Sequence, residues 1–146
     1  MECSIFWQQK TKTNQAFQAL EQSIIAVVSI DEKNRVTFFN QAAENIWGYR
    51  KNEVIGKNVA MLLPHELRAN HDNNVNHHRQ TGQDKIVGSS RDVQLQRKDG
   101  TKLWVQLSLS KIVLNGHIHY TAFVRDISQE RDSRETMAQT LEQALD

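Results

Sequence analysis

Lys102-Leu-Trp-Val-Gln-Leu-Ser-Leu109 is the stretch that decides the fold. Leu103, Val105, Leu107 and Leu109 recur at every second position, so one face of an extended strand is apolar and the other mixed. Lys98-Asp-Gly100 precedes it and Asn115-Gly116 follows it, and both read as tight turns between antiparallel strands. Strands are therefore predicted on either side, over residues 85–97, with Val87, Val93 and Leu95 on one face, and over residues 117–127. Towards the N-terminus, residues 24–30 (Ile-Ile-Ala-Val-Val-Ser-Ile) form a buried-strand run, residues 31–34 a turn, and Val36-Thr-Phe-Phe39 the return strand.

Between these two groups of strands lie helical signals. Asn40 is a good N-cap for a helix over residues 41–47 that Gly48 stops. Residues 51–56 make a helical turn, residues 59–63 a short element ended by Pro64, and residues 66–80 a helix weakened by Asn70, Asn73, Asn74 and Asn76. Residues 12–21 suit an amphipathic helix with Phe17, Leu20 and Ile24 on one stripe; residues 129–146 suit another, with Met137, Leu141 and Ala144 at helical spacing. The sum is an α+β layer: one five-stranded antiparallel sheet, short helices on one face, and a helix at each end. A pocket is expected between the sheet and the short helices.

Composition narrows the function classes. Lys and Arg number 18 against 17 Asp and Glu, a net charge of +1, which offers no electrostatic footprint for nucleic acid or an anionic membrane. Cys3 is the single cysteine, so a disulfide framework and a cysteine zinc site are excluded. No run resembles a signal peptide or a membrane span, and a cytoplasmic location is expected. No nucleophile–base pair or carboxylate set stands out, so the domain itself is not expected to be an enzyme.

One further stretch carries chemistry. His71-Asp-Asn-Asn-Val-Asn-His-His-Arg79 is followed by Gly88-Ser-Ser-Arg91. A histidine on a helix facing an arginine on a strand can set a metal ligand on one side of a flat cofactor and a hydrogen-bond donor on the other. A lone histidine among six is weak evidence by itself; the pairing is what raises it.

Residues 20–127 resemble a PAS domain. The resemblance rests on Asn40-x-Ala42-Ala-Glu44-x-x-Trp47-Gly-Tyr49, Glu53-Val-Ile-Gly56, Lys98-Asp-Gly100, Trp104 and the closing Val124-Arg-Asp-Ile-Ser128. Residues 1–19 would then be a flanking helix and residues 128–146 a signalling helix. Within PAS domains, His71, Asp72, Val75 and Arg79, with Gly88 and Arg91, resemble the haem-binding oxygen sensors of two kinds: a bacterial sensor phosphodiesterase and the oxygen-sensing histidine kinase of nitrogen-fixing bacteria. The resemblance implies b-type haem (iron protoporphyrin IX), His71 as the iron ligand and Arg91 on the gas-binding side. Ser89 departs from the phosphodiesterase, which has an iron-binding methionine there; a serine is a poor ligand, and the kinase has an aliphatic residue.

Such a cofactor needs an apolar slot. Ile86, Val93, Leu95, Leu107 and Leu109 from the sheet and Val59, Leu62, Leu63 and Leu67 from the helices can line it, with His77, His78 and Lys85 at its edge near the propionates. The family implies O2 or another diatomic gas as ligand, a homodimer, and an output partner such as a kinase, a cyclic-di-GMP enzyme or a chemoreceptor module. A PAS domain that binds flavin (FAD) as a redox sensor is the alternative; a cysteinyl flavin is disfavoured because Cys3 lies outside the core.

Overall fold

The alternating stretch lies inside a strand longer than its clean pattern: β4 runs from Lys102 to Leu114, and Asn115-Gly116 turns it into β5 (His117–Asp126). Leu114 pairs with His117, so the loop has two residues, and both adopt the left-handed conformation, at φ 51° and 78°. That is the mirror-image turn whose twist matches a right-twisted hairpin, and asparagine followed by glycine tolerates it best. β3 (Ser90–Gln96) pairs antiparallel with the other edge of β4. β1 (Ala26–Ile30) and β2 (Val36–Phe39) form the N-terminal hairpin, and β1 lies against β5, giving the order β2-β1-β5-β4-β3.

The computed structural model describes residues 15–82 and 87–145, apart from the Leu145 side chain. A helix over residues 15–21, α1, precedes the sheet. α2 (Gln41–Trp47), α3 (Lys51–Val54), single 3-10 turns at Val59–Leu62 and His65–Leu67, and α4 (Arg68–Thr81) stand between β2 and β3. α5 (Ser128–Leu145) leaves the end of β5. The predicted five-stranded antiparallel α+β arrangement is thus the one found.

Registration explains the layers. On β1 the inward residues Val28 and Ala26 stand opposite Ala122 and Val124 of β5, which stand opposite Leu109 and Leu107 of β4. Leu107 is in turn paired with Arg91, and Val105 with Val93. One sheet face is therefore a continuous apolar floor that ends, at the outer strand, in a guanidinium. The helices close over it: Trp47, 5% exposed, donates its ring N–H to the Leu62 carbonyl at 3.0 Å, tying α2 to the first 3-10 turn. Asn40 is more than a cap. Its side-chain oxygen accepts from the N–H of Ala43 and of Val27, and its amide donates to the Leu20 and Ile25 carbonyls, so one buried carboxamide joins α1, β1 and α2.

Two boundaries differ from the sequence pattern. β1 starts at Ala26, and Ile24 is 97% exposed, outside both the strand and the end of α1. Apolarity without pairing does not make a strand. β3 starts at Ser90 rather than Lys85, because Gly88 turns the chain at φ 81° and Val87 makes only an isolated parallel bridge to Leu109. Residues 12–14, Lys85 and Ile86 lie outside the described residues.

Candidate functional site

α4 carries two stripes at helical spacing. His71, Asn74, Val75 and His78 face a cavity; Asp72, Asn76 and Arg79 face the β1–β2 turn. The cavity, about 640 Å³, lies between this helix and the apolar sheet floor, and is of the size that holds a small organic ligand. Val93, Leu95, Leu107 and Leu109 line its sheet wall as expected. Val59, Leu62, Leu63 and Leu67 line the other wall, Leu67 at the rim with 55% of its surface exposed. Arg91 also lines the cavity, from the sheet side, while His71 lines it from the helix side.

The His71 ring is largely withdrawn from water. Its Nδ1 is buried and has no hydrogen-bond partner among the described residues. Burial pushes the imidazole pKa below its usual value of 6.5, and the neighbouring Asp72 charge only partly opposes this. The ring is thus neutral near pH 7, with a lone pair available and buried polar capacity unmet. Among the described residues no three His, Cys, Asp or Glu side chains come together around a metal ion. A site with one neutral imidazole and apolar walls suits a metal that arrives already held in the plane of an organic ring, and does not suit a bare cation. The residues present therefore fit a haem.

His77 and His78 line the cavity near its mouth, their rings 6.4 Å apart in an edge-to-face arrangement. Ser89, two residues before Arg91, would share its face in a continuous strand; it instead precedes the first residue of β3, is exposed, and is not part of the cavity wall. Alternation of faces holds only within paired strand, and Gly88 ends it.

A polar cluster behind α4 has no counterpart in the sequence pattern. Asn34, 2% exposed and left-handed at φ 62°, donates to Asp72 Oδ1 at 3.0 Å and to Asn76 at 3.4 Å. Asn58 donates to both Asp72 oxygens at 2.9 and 3.0 Å. These amide donors hold the Asp72 carboxyl below the usual carboxylate range, Asn58 contributing most and Asn34 next. The Arg79 guanidinium donates to the Asn34 side-chain oxygen, to the Asp31 carbonyl at 2.6 Å and to the Ile118 carbonyl at 3.2 Å, and lies 5.2 Å from the centre of the Tyr120 ring. The signal that could have revealed the cluster is the i, i+4, i+7 spacing of Asp72, Asn76 and Arg79, a polar stripe beside an apolar one.

The model of the PAS fold matches residues 15–127. The chain belongs to the PAS family. Oxygen sensor protein DosP of Escherichia coli is 44% identical to this PAS domain over 125 residues, covering 86% of the chain and 16% of that protein. Sensor protein FixL of Bradyrhizobium diazoefficiens is 33% identical over 109 residues, covering 75% and 22% respectively. The chain thus spans less than a quarter of either relative. The PAS domain of an HTR-like protein from Haloarcula marismortui superposes with a TM-score of 0.63 at 20% identity, over 85% of this chain and 99% of that one. An RNA-binding light-oxygen-voltage receptor superposes with a TM-score of 0.68 at 18% identity, over 89% and 37%. These two likenesses concern the fold. No helix among the described residues is long and apolar enough to cross a membrane.

Proposed function

We propose that this PAS domain is an oxygen sensor that holds b-type haem in the cavity, with His71 as the iron ligand and Arg91 on the gas-binding side. The observation that carries the reading is the neutral, half-buried His71 ring with an unmet nitrogen on one wall of an apolar cavity, and a guanidinium on the other wall. The similarity to an oxygen sensor protein over most of the chain supports it. Haem, when bound, supplies an iron centre that takes up diatomic gases.

The side chains then divide the work. His71 presents neutral imidazole to the iron, fixed by α4. The valines and leucines of β3, β4 and β5 exclude water from the macrocycle. Arg91 offers a charge-assisted donor to a ligand that takes on negative charge, which dioxygen does and carbon monoxide hardly does. His77 and His78, which also line the cavity, would hold the carboxylates of the cofactor. Ser89 offers no strong iron ligand at the position where the sensor phosphodiesterase has a methionine.

The signal has a short way out. Arg91 faces the cavity; Asp92, the next residue, faces the opposite side of the sheet and lies 3.6 Å from Arg131 of α5. Arg131 in turn stacks on Trp104, 3.9 Å from the ring centre. A shift of Arg91 between the gas and a haem carboxylate would move the strand that anchors the exit helix. An output domain or partner (a kinase, a cyclic-di-GMP enzyme or a chemoreceptor module) would receive it, in a cytoplasmic homodimer joined through the exposed Phe17 and Leu20 of α1 and Met137 and Leu141 of α5.

Absorption spectra of the purified protein, oxidised, reduced and with carbon monoxide, test the reading. A sharp Soret band and a five-coordinate, high-spin reduced form are expected. A pair of broad blue-region bands would show flavin instead, and a colourless protein that takes up no added haemin would overturn the proposal.

A further inference from the structure

α4 departs from the way helices normally dock. It has fourteen residues, none of them buried, and Val75 is the one apolar side chain it packs against the core. A helix of this length gains most of its stability from an apolar stripe against its neighbours, and asparagine-rich sequence adds little propensity of its own. Two polar anchors hold α4 instead. Near its start, Asp72 accepts from Asn58 and Asn34; near its end, Arg79 donates to Asn34, Asp31 and Ile118. The anchors meet in one carboxamide. Asn34 donates to the carboxylate and accepts from the guanidinium, and its left-handed backbone, which asparagine tolerates unusually well, places it in the turn beneath the helix. His71 immediately precedes the first anchor, Asp72, on the adjacent stripe.

We infer that Asp72 and Arg79 are positioning residues for His71: together with Asn34 they fix the angle and depth at which α4 presents the imidazole to the cavity. The inference rests on the haem reading given above and concerns how the ligand is held. Four neighbouring acceptors around one guanidinium, the oxygens of Asn34, Asn76, Asp31 and Ile118, require a planar fork of donors; a lysine ammonium carries the charge but not the geometry. Removing the fork takes a donor from the Asn34 oxygen and the Ile118 carbonyl in a half-buried place, while the Asp31 carbonyl keeps the Asn34 N–H; buried polar groups left short of a donor are costly.

The test uses the haem-loaded chain with Arg79→Met, Arg79→Lys and, as a control on an exposed position of the same helix, Asn73→Ala. Three quantities are read: the rate of haem transfer to apomyoglobin, the iron–histidine stretching band of the reduced protein by resonance Raman, and amide hydrogen exchange across residues 68–81 of the haem-free chain. Arg79→Met should release haem about tenfold faster or more, as expected for loss of charge-assisted hydrogen bonds. Its iron–histidine band should shift or broaden. Arg79→Lys should recover only part of both, and Asn73→Ala should match the parent. Faster exchange in α4 with parental haem release and a parental iron–histidine band would overturn the inference, leaving Arg79 a stabiliser of the helix only. A parent chain without a Soret band would overturn the haem reading, and this inference with it.

Discussion

In the proposed oxygen sensor, ligand choice turns on Arg91. It stands on the outer strand where the apolar floor ends, beside Leu107, so its charge reaches the cavity without being sealed from water. A charge-assisted hydrogen bond contributes about 1.5–3 kcal/mol. Each 1.4 kcal/mol is about a factor of ten, so Arg91→Ala should weaken O2 binding by about ten- to a hundredfold and quicken autoxidation. Carbon monoxide affinity, measured on the same variant by flash photolysis, should change much less; equal losses would mean that Arg91 shapes the pocket and does not recognise dioxygen. His71 makes a second prediction at this scale, for the haem-free chain. Burial lowers its pKa in the folded state below the usual 6.5, so on acidification the unfolded chain takes up the proton first. Stability from the neutral ring is complete well above pH 6.5, and declines as pH falls through that value towards the folded pKa. Denaturant unfolding near pH 7.5 and near pH 5.5 should show a loss in the parent that His71→Leu reduces. An identical loss in both would show that the ring is not the source.

At the scale of elements, the hairpins were legible because their physics is local. β4 and β5 are given by alternation and by Asn115-Gly116, and the α2 boundaries by Asn40 and Gly48, whose cap geometry is the one expected. The start of β3 was not legible, since it depends on Gly88 turning the chain and on pairing with Ser108, a contact across eighteen residues. The helix over residues 129–146 was legible from its spacing, but what anchors the root of α5 was not. Ile127, 5% exposed, donates its N–H to the Trp104 carbonyl at 3.1 Å, Arg125 pairs with Glu130, and Arg131 lies between Trp104 and Asp92. A guanidinium over an indole contributes about 0.5–2 kcal/mol according to its exposure. Arg131→Ala should therefore speed amide exchange in the first turns of α5 by up to about tenfold or somewhat more, with the Soret band unmoved. No change in exchange would remove Arg131 as the anchor of the exit helix.

For the whole molecule, the sequence pattern foretold one five-stranded antiparallel sheet and a cavity against its helices, but not the strand order, in which β1 lies against β5. The candidate site was legible where it rests on motif spacing, as with His71 and Arg91, and on strand parity, as with Val93, Leu95, Leu107 and Leu109. It was not legible where side chains distant in sequence meet. Asn34, Asn58, Asp72 and Arg79 span more than forty residues, and only the folded layers bring them together. Ser89 shows the converse, a parity argument carried one residue beyond the strand that supports it. The central claim is that His71 is the protein ligand of the cofactor in this cavity. Its most direct measurement is haem retention, by Soret absorbance per protein, in His71→Ala beside His77→Ala and His78→Ala, whose rings line the same cavity. The account predicts that His71→Ala loses the haem or nearly all of it while the other two keep a parental spectrum. A normal spectrum in His71→Ala, with loss in His77→Ala or His78→Ala, would contradict it.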